Sequence, residues 1–132
     1  MCTVDLISRE CDSRILVGLR GELDVAVAVR VVAELSVAAA CERDMIVDLA
    51  GLEFIDSSGL AALVRVRERA RLAGGDLLLA APHGQVLRLL SLTRLIDGFS
   101  VHASVDEAAR DAGQSRRAAA TVSGPPAILA VT

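Results

Sequence analysis

The residues best suited to chemistry stand together at Asp56-Ser57-Ser58-Gly59. They follow an apolar strand, Met45-Ile46-Val47-Asp48-Leu49, and a short loop that leads through Leu52 to Ile55. They open a helix predicted to run to about Ala73, where Gly74-Gly75 supplies the stop. Asp56 or Ser57 can cap free N–H groups at the mouth of that helix. A serine in the first turn is a good position for a phosphate, because open N–H groups and the positive end of the helix dipole favour an anion. The modification would add roughly −1.5 to −2 charge at neutral pH, beside the Asp56 carboxylate. The fold would tolerate that charge, while an acidic partner, or one packed against Gly59, would be driven off. Gly59 itself costs a helix up to about 1 kcal/mol relative to Ala, and its missing side chain would let another molecule approach the backbone. The plainer reading of the same four residues is a well-capped helix.

Other chemistry fares worse. Nucleophilic catalysis by Ser58 needs a base and an orienting acid. The only histidines are His83, after Pro82 at a helix start, and His102, at a strand end. Both read as surface or capping residues. The Gly-x-Ser-x-Gly elbow is absent, and with no lysine there is no phosphate-cradling Gly-x-x-x-x-Gly-Lys loop. The carboxylates Glu22, Asp24, Asp48 and Asp56 could converge, but loop caps explain them more simply. No metal ligation and no cofactor are expected, and the chain does not read as an enzyme.

The elements that must position the loop come from the apolar pattern. Thr3 to Ser8 and Ile15 to Leu19 read as two strands joined by a short polar link, hence a hairpin. From Val25 an apolar run extends to Cys41. Its length favours a helix over a strand, with Asp24 as N-cap and Arg30/Glu34 at i,i+4 spacing. Met45 to Leu49 and Asp76 to Ala81 read as strands covered on both faces. Gly84 opens a helix through Leu90, Phe99 to His102 is a last short strand, and Ser104 with Glu107 forms a capping box over Val105 to Ala112. Strands alternating with helices after a hairpin give an α/β fold with a mixed, largely parallel sheet of about 4–5 strands and about 4 helices.

On the wheel of the Ser57 helix, Gly59, Leu63, Val66, Ala70 and Ala73 share the core seam. Leu60, Val64, Arg67 and Arg71 form a neighbouring stripe whose mixture of apolar residues and arginines suits a protein interface, or else simple edge packing. Arg65, Arg67, Arg69 and Arg71 with Glu68 read either as a solvated face or as an arginine-rich partner surface.

Composition narrows the partners. Hydrophobic residues make up 53% of 132 residues and aromatics 2%, so Leu, Val, Ile and Ala must build one core, with Phe54 and Phe99 as its only rings. Few aromatics and a net charge of −3 argue against nucleic acid and anionic lipid. Cys2, Cys11 and Cys41 lack disulfide or zinc spacing and point to a reducing compartment, the cytoplasm. No segment reads as a signal peptide or membrane span. Residues 1–112 are expected to be the folded domain, and the Ala/Ser/Gly/Pro-rich tail, 113–132, to be flexible.

The chain resembles the STAS-domain anti-sigma factor antagonists. The resemblance is carried, in order, by Gly21-Glu22-Leu23-Asp24, Val47-Asp48-Leu49, Phe54-Ile55-Asp56-Ser57-Ser58-Gly59-Leu60, Gly75-Asp76-Leu77-Leu78-Leu79, Val86 to Leu92, Phe99-Ser100-Val101 and Glu107-Ala108-Ala109. It covers roughly Thr3 to Asp111. Arg94 departs from it, standing where similar proteins usually have Gly.

The resemblance implies that Ser58, rather than Ser57, accepts the phosphate. It implies that the kinase is an anti-sigma factor, which supplies the ATP site and magnesium. The unphosphorylated chain would bind that kinase and release a sigma factor in a stress response, and a metal-dependent phosphatase would restore it. The partner surface is expected to comprise Glu22, Asp24, Asp56, Ser57, Ser58, Gly59, Leu60, Val64 and Arg67. The apolar first helix also offers a surface for a homodimer. Two other readings stand beside this one: a scaffold subunit of a signalling or transport assembly in which Ser58 stays unmodified, and a small hydrolase or nucleotide-binding enzyme.

Overall fold

The computed structural model describes residues 2–9, 14–39, 44–93 and 98–110. Strands β1 (Cys2–Arg9) and β2 (Arg14–Leu23) form the expected antiparallel hairpin. Helix α1 (Val25–Ala39), strand β3 (Asp44–Ile55), helix α2 (Ser57–Leu72), strand β4 (Leu77–Ala80), helix α3 (Gly84–Leu92) and strand β5 (Ser100–His102) follow. Residues 105–110 are helical. The sheet order is β1-β2-β3-β4-β5, and every pair after the hairpin is parallel. The fold is therefore the mixed, largely parallel α/β sheet that the pattern predicts.

Because the strands advance across the sheet in one direction, right-handed crossovers place α1, α2 and α3 on the same face. The buried side chains agree. Val17, Leu19, Val47, Leu49, Leu77 and Leu79 pack with Val31, Leu35, Leu63, Val66, Val86 and Leu90 in one cluster. The alternate residues Ile46, Leu78 and Ala80 meet Ala108 and Val105 on the opposite face, under the last helix. Each fully buried Leu or Val contributes on the order of 1.5–3 kcal/mol.

Strand β3 is longer than expected. The segment read as a loop after Leu49 continues as strand to Ile55, pairing with Arg20–Leu23 through two register shifts. Asp48 Oδ1 accepts from Ala50 N–H (3.0 Å) and holds the first irregularity. The extra residues break the two-residue alternation, so that Leu49, Leu52 and Ile55 all face the core. Phe54, expected in the core, is instead 39% exposed, while Phe99 is buried. Among the described residues, no strand lies beside the far edge of β3 beyond Asp48. Side chains next to and within α3 serve instead: His83 Nε2 bonds Ala50 O (2.8 Å), and Gln85 brackets Ile55, accepting from its N–H (2.9 Å) and donating to its carbonyl (2.8 Å).

Asp24 and Ser104 cap their helices as expected, but the reciprocal half of the capping box is not made, since Glu107 Oε1 lies 3.9 Å from His102 Nδ1 instead. Asp24 Oδ1 accepts from Ala26 N–H (3.0 Å), and Ser104 Oγ accepts from Glu107 N–H (3.1 Å). Gly74 takes φ 96° just after α2, as a C-terminal stop requires. Cys11, Cys41, Arg94 and the segment 111–132 lie outside the described residues.

Candidate functional site

The site is built where β2 and β3 end side by side, each handing over to a helix. Leu23 pairs with Ile55 in the sheet, then Asp24 and Asp56 turn the two chains into α1 and α2. Asp56 lies in extended backbone and is the N-cap of α2. Its Oδ1 accepts from Gly59 N–H at 2.9 Å. Its Oδ2 accepts from Val25 N–H, the first residue of α1, at 3.2 Å. One carboxylate thus serves both helix N-termini.

Ser57 and Ser58 occupy the first turn of α2. Their backbone N–H groups make no hydrogen bond among the described residues, the usual state of helix-terminal donors. Ser57 is exposed and Ser58 half-buried. The two serines face different grooves. Ser58 borders a groove of about 600 Å³ between α1 and α2, with Val25, Val29, Val32, Ala61 and Ala62 in its lining. Ser57 borders one of about 500 Å³ on the other flank of α2, with Leu60, Val64, Glu68 and Thr93.

Three sequence-based assignments need correction. Gly59 does not leave an opening for another molecule. It is buried, and a Cβ there would lie 2.5 Å from the Leu23 carbonyl oxygen and 2.7 Å from Ile55 Cγ1. The gap is filled by the chain's own β2 end, so Gly59 sets how closely α2 approaches the sheet. Arg67 is not on a partner-facing stripe. It is 4% exposed, with its guanidinium 4.8 Å over the Phe99 ring and Nε 4.0 Å from Asp76 Oδ1. Burial, then the nearby Arg71 charge, pushes its pKa below the ordinary arginine value. Leu60 is also largely buried, leaving Val64 as the half-exposed apolar residue of that stripe.

The arginine row of α2 therefore divides. Arg71 is held by Asp76 through Nε–Oδ1 (3.0 Å) and Nη2–Oδ2 (3.3 Å), and Arg67 lies beneath. Arg65 and Arg69 are exposed. Of the four carboxylates that could converge, Asp24, Asp48 and Asp56 are engaged in backbone caps, and Glu22 is exposed opposite Phe54. Among the described residues no three His, Cys, Asp or Glu side chains form a metal-binding group. No described helix is long and apolar enough to cross a membrane. Gln85, His83 and exposed Phe54 complete the neighbourhood without any local sequence signal.

A sheet of this order with helices at these strand ends defines a known class. Residues 7–108 match the STAS domain model, and the chain belongs to the STAS domain family. Its fold is similar to an anti-sigma factor antagonist from Mycobacterium paratuberculosis (22% identity over 89% of this chain and 95% of that one, TM-score 0.73). It is similar also to an anti-sigma-factor antagonist domain protein from Planctomyces limnophilus (19%, 83% and 97%, TM-score 0.72). A third similar structure is the Bacillus cell fate determinant SpoIIAA in its phosphorylated form (20%, 80% and 96%, TM-score 0.61).

Proposed function

We propose that this chain is an anti-sigma factor antagonist that acts by binding rather than catalysis and is switched by phosphorylation of Ser58. In the unphosphorylated state it binds an anti-sigma factor serine kinase in the cytoplasm and so frees a sigma factor. The kinase brings ATP and magnesium, and a metal-dependent phosphatase reverses the modification. Glu22, Ser57, Ser58 and Val64 form the accessible part of the partner surface. Asp24 and Asp56 hold the two helix starts beneath it, while Gly59, Leu60 and Arg67 support it from inside.

One observation carries this reading: Ser58 stands in the first turn of a helix, half-buried at the edge of an apolar groove. A phosphate of roughly −1.5 to −2 charge there suits the dipole and the open N–H groups of α2. It also places a solvated dianion on a surface that an apolar partner must desolvate. The helix keeps its fold while the surface loses its partner.

Binding of Ser58→Ala and Ser58→Glu to an anti-sigma kinase, followed by calorimetry, tests this. Ser58→Ala should bind like wild type, and Ser58→Glu roughly tenfold or more weaker. Equal binding of both would contradict the switch.

A further inference from the structure

The groove between α1 and α2 has more apparatus than a switch at one serine needs. Its α1 wall includes Val25 and Val29, which are 68% and 80% exposed, and Val32. Its α2 wall is low, formed by Ala61 and Ala62. The helices start together at Asp56 and run side by side, so the groove from Val25 to Ser36 is about three turns long, roughly 16 Å.

One further feature points to an occupant. Arg65 and Arg69, one turn apart on α2, border the groove, and neither side chain is hydrogen-bonded or ion-paired among the described residues. The other two arginines of that row are engaged, Arg71 with Asp76 and Arg67 beneath Phe99. On α1, Arg30 and Glu34 pair with each other at 3.6 Å, so the unspent charge along the groove is positive.

We propose that this groove seats an acidic amphipathic helix of the partner protein. Its apolar face lies between Val29 and Ala61/Ala62, and its carboxylates meet Arg65 and Arg69. Charge complementarity selects this occupant over a second copy of the chain, whose α1 would bring a self-neutralising Arg30/Glu34 pair. Ser58 stands at one end of the groove, so a phosphate there would repel the same acidic helix. That last link rests on the switch proposed above, but the groove does not.

The test is a titration of ¹⁵N-labelled full-length chain with a synthetic amphipathic peptide of about 16 residues. The peptide carries leucines at helical i, i+4, i+7 spacing and glutamates on the flanks. A counterpart carries lysines in place of the glutamates. The proposal expects saturable shifts at the amides of Val29, Ala33, Ala61 and Arg65. It expects roughly tenfold weaker binding of the lysine peptide, and a similar loss in Arg65→Glu/Arg69→Glu and in the milder Arg65→Gln/Arg69→Gln. Equal affinity for the two peptides, or no saturable shift at these amides, would overturn the proposal. So would the same shifts appearing on concentrating the chain alone (a second copy) or on adding dodecanoate at equal affinity (a small amphiphile). The peptide needs no kinase and no phosphate, so failure of the switch and failure of the groove give separate results.

Discussion

Asp56 and Val25 are 31 residues apart in sequence and joined by one hydrogen bond, from the Val25 N–H to Asp56 Oδ2 at 3.2 Å. The other oxygen of the same carboxylate accepts from Gly59 at 2.9 Å. The start of α1 is thereby referenced to the turn that carries Ser57 and Ser58. Asp56→Ala removes both caps and should cost about 2 kcal/mol, taking about 1 kcal/mol for each. Asp56→Asn retains one carbonyl acceptor but turns an N–H donor toward the other helix, so its loss should be intermediate. Urea midpoints at constant m-value read this directly. A loss in Asp56→Ala no larger than that in Asp56→Asn would contradict the double cap.

Gly59 is set by packing. The Cβ of Gly59→Ala would come 2.5 Å from the Leu23 carbonyl oxygen, a backbone atom that cannot turn aside. Helix propensity alone would make the change favourable by up to about 1 kcal/mol. The clash should outweigh this, giving a net loss of about 1–3 kcal/mol as α2 is pushed off the sheet. Thermal unfolding settles the sign, since a gain in Tm would show that the approach is looser than described.

The Gln85 amide acts as a one-residue extension of the sheet. Gln85→Leu should cost about 1–3 kcal/mol, because it leaves the part-buried Ile55 N–H and carbonyl without their partner. Gln85→Glu keeps an acceptor for the N–H but, when ionised, sets a carboxylate against the carbonyl. It should therefore be less stable than wild type at neutral pH and recover as acid protonates it. Hydrogen exchange at Ile55 measures the local effect, and unchanged protection in Gln85→Leu would contradict this role.

Arg67 bears its charge in a site that disfavours it. Its lowered pKa means the folded chain holds that proton less tightly than the unfolded chain. The cost is present in full below the folded value and is relieved only as pH rises toward the ordinary arginine value, far above neutrality. Arg67→Met, which keeps the buried stem, should lie within about 1 kcal/mol of wild type, with a difference that is flat from about pH 6 to 9. Arg67→Ala should cost about 2–4 kcal/mol by opening a cavity under Phe99. Chemical denaturation of both variants at two pH values checks the pair. Equal losses in the two would show that the charge, and not the stem, stabilises this position.

The hairpin, α1 behind Asp24, α2 behind Asp56 and the short buried β4 were legible because each rests on local signals: alternation, a capping carboxylate, a terminal glycine. The second half of β3 was not. Its bulges set Leu49, Leu52 and Ile55 at three-residue spacing, which matches no strand template. Arg67 was misplaced, and the contacts that fill the space beside Gly59 on the core seam were missed, for a related reason. A helical wheel shows which residues share a face, but not that the Leu23 carbonyl or the Phe99 ring lies against it. The roles of Gln85 and His83 depend on partners 30 and 33 residues away, and nothing in their neighbours announces them.

The central claim is that one phosphate on Ser58 releases the partner, and intact mass with complex formation tests it most directly. Wild type, Ser57→Ala and Ser58→Ala are each incubated with an anti-sigma kinase and ATP, weighed, and run on a sizing column with fresh kinase. The account predicts a single phosphate on wild type and on Ser57→Ala, none on Ser58→Ala, and a kinase complex only for chains without phosphate. A phosphate that survives Ser58→Ala, or a phosphorylated chain that still elutes with the kinase, would contradict it.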